Sequence, residues 1–214
     1  MALDGLPFIG AAGLLLVILG VLASMFGNNF IWGLTYAQAV LLLFIIFFFR
    51  DPDRVTPEGK GLVISAADGK VMLIKEVNFP DLSDEKLIQV SVFLSIFNVH
   101  VNRIPISGVV DEIKYYPGKF FAAWNEKASL ENEQTLISID SGTKKIYFKQ
   151  IAGLIARRIV WKLESGQSVS AGDRFGIIRF GSRVDILLPL GSEIRVKVGD
   201  KVKGGETVIG VIDV

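Results

Sequence analysis

The sequence predicts a mainly β protein with a barrel-sandwich-like core, preceded by a two-helix membrane hairpin. Three observations carry this. Two uncharged apolar stretches, Leu6–Phe26 and Phe30–Phe49, open the chain, each close to the roughly 20 residues that cross a bilayer as a helix. After Arg50 the pattern changes to short β-rich runs punctuated by glycine, the signature of a sandwich or barrel. No long amphipathic helical pattern follows residue 50.

The elements follow in order. Gly27-Asn28-Asn29 between the two apolar stretches is a short uncharged turn. A cleaved signal peptide fits less well, because no basic segment precedes the first stretch and the second follows at once. Arg50, Arg54 and Lys60 follow the second helix. The positive-inside rule therefore places the rest of the chain on the cytoplasmic side of the cell membrane. Residues 1–50 are read as the anchor (helices 6–26 and 30–49) and 51–60 as a linker, since Pro52 and Pro57 break the helical pattern. Residues 61–214 form the β-rich domain. Its expected strands are Gly61–Ser65, Gly69–Val77, Leu87–Leu94, Gly108–Tyr116, Gln134–Asp140, Lys144–Ile151, Arg158–Lys162, Arg174–Phe180, Arg183–Leu188, Glu193–Lys197 and Glu206–Ile212. Lys119–Asn132 reads as a helical or loop insertion.

Composition narrows the function. The chain has 214 residues, is 50% hydrophobic and carries a formal charge of +1, so no global field points to nucleic acid. It has no cysteine and one histidine, His100. Disulfides, thiolate zinc sites and a thiol nucleophile are excluded, as is a multi-histidine metal centre within one chain; no metal is expected.

The stretch around Phe180-Gly181-Ser182-Arg183 joins two apolar runs. One reading is a bulge or tight bend between strands. The other is chemical. A serine after a glycine in a strained bend can turn its Oγ onto the preceding carbonyl, giving an N→O acyl shift and then cleavage by β-elimination. Asp68 reads as a turn carboxylate before Gly69. His100 lies in an apolar strand-like run, and Arg157-Arg158 are surface charges, phosphate ligands or partners of a buried carboxylate. The run Val196 to Gly205, with a looser copy at Gln167–Arg174, resembles the Gly-Asp turns of biotinyl/lipoyl barrels. It presents no lysine in a carrier setting.

Taken together, the blocks Phe49-Arg-Asp-Pro-Asp-Arg54, Ser65-Ala-Ala-Asp-Gly69, Phe97-Asn-Val-His-Val-Asn-Arg103, Tyr116-Pro-Gly-Lys-Phe120, Lys127 with Glu131-Asn-Glu133, Ile151-Ala-Gly153 with Ala156-Arg-Arg158, and Arg179-Phe-Gly-Ser-Arg-Val-Asp185 resemble the short bacterial and archaeal form of phosphatidylserine decarboxylase. The resemblance implies a proenzyme that cuts itself between Gly181 and Ser182. The products would be a β chain of residues 1–181 and an α chain of residues 182–214. Ser182 would become a pyruvoyl group, a covalent cofactor that forms a Schiff base with the substrate amine and accepts electrons during decarboxylation to phosphatidylethanolamine and CO₂. It further implies that Asp68 assists deprotonation of Ser182, through a histidine, and that His100 serves processing, decarboxylation or both. Long forms carry a second histidine near the position of Arg103. Asn98 and Arg103 are weaker candidates for holding the serine carboxylate or lipid phosphate. The expected partners are the phospholipid membrane, phosphatidylserine and the sister chain, with a homodimer of αβ units. Two alternatives stand beside this one: a non-catalytic, membrane-anchored biotinyl/lipoyl-like adaptor, and the same chemistry on archaetidylserine.

Overall fold

The computed structural model describes residues 1–79, 86–121, 123, 131–153, 159–178 and 182–213. The chain forms two compact units, Met1–Pro52 and Asp53–Val214. In the first, a short 3₁₀ turn leads into α1 (Leu6–Phe26), and α2 (Asn29–Phe48) follows. Gly27 closes α1 in the left-handed conformation at φ +60°, which glycine adopts at no steric cost. Asn28 caps α2 by accepting the Phe30 N–H at 2.8 Å. Gln38 Nε2 donates across the hairpin to the Ala12 carbonyl at 2.9 Å, a polar contact suited to helices whose surroundings are apolar. Both helices are long and apolar enough to cross a membrane.

The second unit contains β1 (Leu62–Ile64), β2 (Gly69–Val77), β3 (Leu87–Leu94), β4 (Val101–Arg103), β5 (Gly108–Tyr116), β6 (Gln134–Asp140), β7 (Lys145–Ile151), β8 (Ile159–Trp161), β9 (Ser168–Val169), β10 (Arg174–Ile178), β11 (Ser182–Pro189), β12 (Glu193–Ile194), β13 (Lys201–Val202) and β14 (Val208–Val211). A curled, half-barrel sheet runs β13-β2-β3-β11-β7-β6-β5-β9. Two three-stranded sheets, β1-β14-β12 and β4-β10-β8, complete the unit. Among the described residues the strand ladders are antiparallel.

The mainly β expectation is met. The differences are local. β4, β9 and β13 were not expected; each has two or three residues, too few to show an alternation. The run around Glu193 ends at Ile194, two residues into the expected strand. Of the Lys119–Asn132 insertion, the structure gives the ends, joined by a parallel bridge between Lys119 and Asn132; residues 122 and 124–130 lie outside the described residues.

β11 is the organising strand. It lies between β3 and β7 and is buried on both faces from Ser182 to Leu188. Side chains alternate along a strand. Val184, Ile186 and Leu188 enter the hydrophobic core with Val90, Val92 and Leu94 of β3 and Ile146 and Phe148 of β7. Phe148 meets Phe175 of β10 edge to face, with centroids 5.2 Å apart, which ties the large sheet to the β4-β10-β8 sheet. Arg183 and Asp185 alternate onto the other face, 1% and 0% exposed.

Candidate active site

Three segments meet at the end of the sheet where β11 begins. Ser182 opens β11 and is paired with Leu94, the last residue of β3. Arg183 and Lys70 both pair with Phe93, from opposite sides. Asp68, two residues before Lys70, therefore lies at the same end of the sheet as Ser182. The approach of β2 to β3 requires glycine at 69, because a Cβ there would collide with the Phe93 carbonyl oxygen. The third segment is the Ser95–His100 loop between β3 and β4. It leaves β3 beside Ser182 and enters β4, where Val101 pairs with Ile177 of β10. The Ile178 N–H donates to the His100 carbonyl at 3.4 Å. His100 is thus attached to the last described residue before Ser182, and the two residues belong to neighbouring segments.

Each of the expected site residues can be located, except Gly181. That residue, with Arg179, Phe180, Lys127, Arg157 and Arg158, lies outside the described residues. The bulge or bend expected at Gly181-Ser182 is therefore described only on its Ser182 side, where the chain is already strand. Ser182 is fully buried on the core face, and its Oγ has no hydrogen-bond partner among the described residues. His100 is fully buried. The Asn98 carbonyl lies 3.0 Å from its Nδ1. A carbonyl can only accept, so this bond places the proton on Nδ1 and leaves Nε2 as the basic nitrogen of the neutral ring.

Asp68 is held by other groups. Arg54 Nη2 donates to both carboxylate oxygens, at 2.9 and 3.1 Å, and the Gly204 N–H donates at 2.8 Å. Arg54, within the segment expected as a linker, also faces Glu206 at 3.6 Å. The turn bearing Asp68 is fastened to β4, because the Arg103 N–H donates to the Ala66 carbonyl at 2.8 Å. Asp68 and His100 therefore border the same strand end, and the carboxylate's hydrogen bonds run to Arg54 and Gly204 rather than to the imidazole.

Asn98 and Arg103 are committed locally. Asn98 Oδ1 accepts from the backbone N–H of Ser95 at 2.8 Å and from its hydroxyl at 2.7 Å, which folds the loop that presents His100. Arg103 Nη1 donates to the Gly172 carbonyl at 3.0 Å, and its stem packs where a Cβ at Gly205 would fall.

Two polar clusters escaped the sequence reading. On the core face, Thr135 Oγ1 donates to Gln150 Oε1 at 2.9 Å, and Gln150 Nε2 donates to Asn102 Oδ1 at 2.8 Å. On the other face, Arg183 Nε donates to Asp185 Oδ1 at 2.6 Å and its Nη2 to Ser91 Oγ at 2.8 Å; Gln89 Nε2 bonds both Ser91 Oγ and Asp185 Oδ2. Burial pushes the neighbouring Lys149 ammonium below the usual lysine range, against the pull of the Asp185 carboxylate. Asn102, Arg183 and Asp185 stood inside the motif blocks, but sequence spacing alone could not say which of them are buried. Among the described residues no three of His, Cys, Asp or Glu gather as a metal site.

A family model for phosphatidylserine decarboxylase matches residues 41–210. The chain belongs to that family. The match takes in the β-rich unit from Asp53 to Gly210 and with it Asp68, His100 and Ser182. The chain is 47% identical over 209 residues to a protein named phosphatidylserine decarboxylase proenzyme from Wolbachia sp. subsp. Brugia malayi, covering 95% of this chain and 91% of the relative. Relatives of the same name come from Chlorobaculum tepidum, 47% identical over 180 residues and 83% of each chain, and Geotalea uraniireducens, 42% identical over 214 residues, covering 99% of this chain and 96% of the relative. These relatives set aside the non-catalytic adaptor, and the word proenzyme in their names agrees with the expectation of a precursor.

Proposed function

We propose that this member of the family decarboxylates phosphatidylserine to phosphatidylethanolamine and CO₂, using a pyruvoyl group made from its own Ser182. Family membership supports the reaction. The observation that carries the assignment of the group is the state of Ser182: fully buried at the start of a central strand, its hydroxyl uncommitted among the described residues, beside the loop that presents His100. A structural serine so placed would satisfy its hydroxyl.

Processing follows from the chain's own groups. Ser182 Oγ attacks the carbonyl carbon of residue 181, and its proton passes to a base; His100 Nε2 is the basic nitrogen of the ring. The C–N bond breaks, the Ser182 nitrogen takes up a proton, and an ester joins residue 181 to Ser182 Oγ. Removal of the Ser182 Cα proton then expels the residue 181 carboxylate and leaves a double bond between Cα and Cβ. Tautomerisation, addition of water and loss of ammonia give the ketone. Asp68, clamped by Arg54 and Gly204, fixes the turn beside the strand end and supplies negative charge there. The pyruvoyl group supplies a ketone that takes up the substrate amine and draws electrons from its Cα as CO₂ leaves. His100 is suited to hold or return a proton at that carbon, a role worth about 10²–10⁴ in rate.

The two apolar helices suit an enzyme whose substrate is a lipid, holding the catalytic unit at the membrane, on its cytoplasmic face. In this reading the products of processing are β chain 1–181 and α chain 182–214, held together by the pairing of β11 with β3 and β7, and αβ units associate as a homodimer. The test is Ser182→Ala. We expect one uncut polypeptide without decarboxylase activity, whereas the unaltered chain gives two. Cleavage of the alanine variant would overturn the assignment.

A further inference from the structure

We propose that the turn of residues 95–98 is a bilayer-docking tip. Its apolar residues Ile96 and Phe97 enter the membrane interface and seat one rim of the second unit on the lipid surface. The substrate headgroup then reaches Ser182 while its acyl chains stay in the bilayer. The inference rests on the decarboxylase reading above and adds a membrane contact outside the two apolar helices.

The turn departs from water-facing chemistry. Exposed turns favour Gly, Pro, Asn, Asp and Ser, whereas the two central positions here hold Ile96 and Phe97. Phe97 is 64% exposed. The ends of the turn are closed on each other. The Asn98 N–H donates to the Ser95 carbonyl at 2.9 Å, and Asn98 Oδ1 accepts the Ser95 N–H at 2.8 Å and the Ser95 hydroxyl at 2.7 Å. These bonds fix the apolar pair at the tip and use polar groups that would be costly to carry toward an apolar phase. The β6–β7 turn at the far end of the sheet is made differently. It runs Ser141-Gly142-Thr143-Lys144, with Gly142 at φ +90° and its N–H on Asp140 Oδ1 at 2.8 Å.

A lone exposed aromatic is ordinary; the register makes this one part of a set. One row of paired residues, Lys70, Phe93, Arg183, Ile151, Gln134 and Tyr116, crosses the sheet from β2 to β5. Each of those strands begins or ends at the row or one residue beyond it, so their loops form a common rim. Ser182 lies in that rim, paired with Leu94, three residues before Phe97. Farther along, Tyr115 and Tyr116 are 47% and 42% exposed. Lys70 is exposed at one end of the row, and Lys119, paired with Glu131 at 2.8 Å, is exposed beyond the other. Aromatic side chains beside lysines that keep their ammonium groups in water suit a membrane interface.

The bilayer is the occupant for two reasons. The first is connectivity: α2, long and apolar enough to cross a membrane, ends at Phe48, and the second unit begins at Asp53. The chain therefore keeps the start of that unit within about 18 Å of the membrane. The second is the substrate, a lipid whose amine must come to a residue buried in the rim. A rim against the bilayer takes the headgroup from the membrane plane, whereas a rim facing water would require the acyl chains to be exposed. The tip is too small to hold the unit on a membrane alone; it sets the orientation of a unit that the helices anchor.

The chain has no cysteine, so one introduced cysteine carries one label. The experiment places a nitroxide at Phe97→Cys, or at Thr143→Cys on the far turn, in the full chain reconstituted in phosphatidylcholine nanodiscs containing phosphatidylserine. Expected is a label at 97 that relaxes with oxygen, which concentrates in lipid, and is shielded from a water-soluble nickel chelate; the label at 143 should show the reverse. Tyr116→Cys carries the same test if the 97 variant does not fold. Unlabelled Phe97→Ser should lower turnover on bilayer phosphatidylserine about tenfold, with a smaller loss on a short-chain phosphatidylserine dispersed as monomers, and Phe97→Trp should keep bilayer turnover. Three results overturn the proposal: a label at 97 open to the chelate, one broadened by the label of a second copy seated on the tip, or an equal loss on both substrates. A wild-type chain that neither cuts itself nor releases CO₂, beside a 97 label that lies in lipid, would instead overturn the reading of Ser182.

Discussion

Replacing Asp185 by leucine tests whether the polar face of β11 is held by its buried ion pair. Arg183 and Asp185 are 1% and 0% exposed and meet at 2.6 Å. Removing the carboxylate leaves a buried guanidinium hydrogen-bonded to Ser91, strips Gln89 of one acceptor, and takes from Lys149 the charge that offsets its burial. Breaking a buried pair from one side costs about 3–5 kcal/mol. For a domain of this size each kcal/mol moves the melting temperature by roughly 2–4 °C, so a fall of about 6–20 °C is expected. Removing both charges, as in Arg183→Met with Asp185→Leu, should recover most of the loss, since the guanidinium is no longer buried without its carboxylate and its repulsion of Lys149 goes with it. The assay is thermal unfolding of the full chain in detergent, with Ser182→Ala present throughout so that every sample is one polypeptide. A single-variant cost below about 1 kcal/mol, or a double variant as unstable as the sum of the singles, would refute the reasoning.

Three further outcomes follow from the same geometry. Lys149→Met should raise stability at neutral pH: its folded pKa lies below its unfolded one, so between them the unfolded chain binds more protons, and the gain should be full below the folded pKa and fade as pH rises toward the ordinary lysine range; a gain that persists above that range in pH-dependent melts would contradict this. Asp68→Ala should slow cleavage on gels, and His100→Ala, which removes the proposed base, should slow it too and lower CO₂ release per mole of whatever α chain is processed by about 10²-fold or more; full processing of the first, or unchanged turnover in the second, would sink those roles. Truncation to Asp53 should give a soluble chain that still cuts itself, whereas truncation to Gly59 removes Arg54 from Asp68 and should process more slowly; equal rates would show that the clamp does not matter.

Much of the architecture was legible because it rests on periodicity. Uncharged runs such as Leu6–Phe26 and β-rich runs bounded by glycine such as Gly108–Tyr116 carry their own signal. The short strands β4, β9 and β13 do not; they exist because longer neighbours offer edges to pair with. Ser182, His100 and Asp68 could be picked out as residue types in motif blocks, and the register brings all three to one end of the sheet. What the sequence could not carry was partnership. Nothing in Arg54's place between two prolines announces that it clamps Asp68. Likewise, nothing in Asn102, Thr135 and Gln150, spread over three strands, announces a single relay. Such links depend on which strands become neighbours and on which face each side chain falls.

The central claim is that Ser182 becomes the active group of a self-cut enzyme. The most direct measurement is the intact mass of the smaller polypeptide in the purified protein. The account predicts a chain of residues 182–214 whose mass is lower, by one ammonia, than that of the same peptide beginning with serine, and which has no free α-amine. A single uncut chain, or a small chain with an unmodified N-terminal serine, would contradict it.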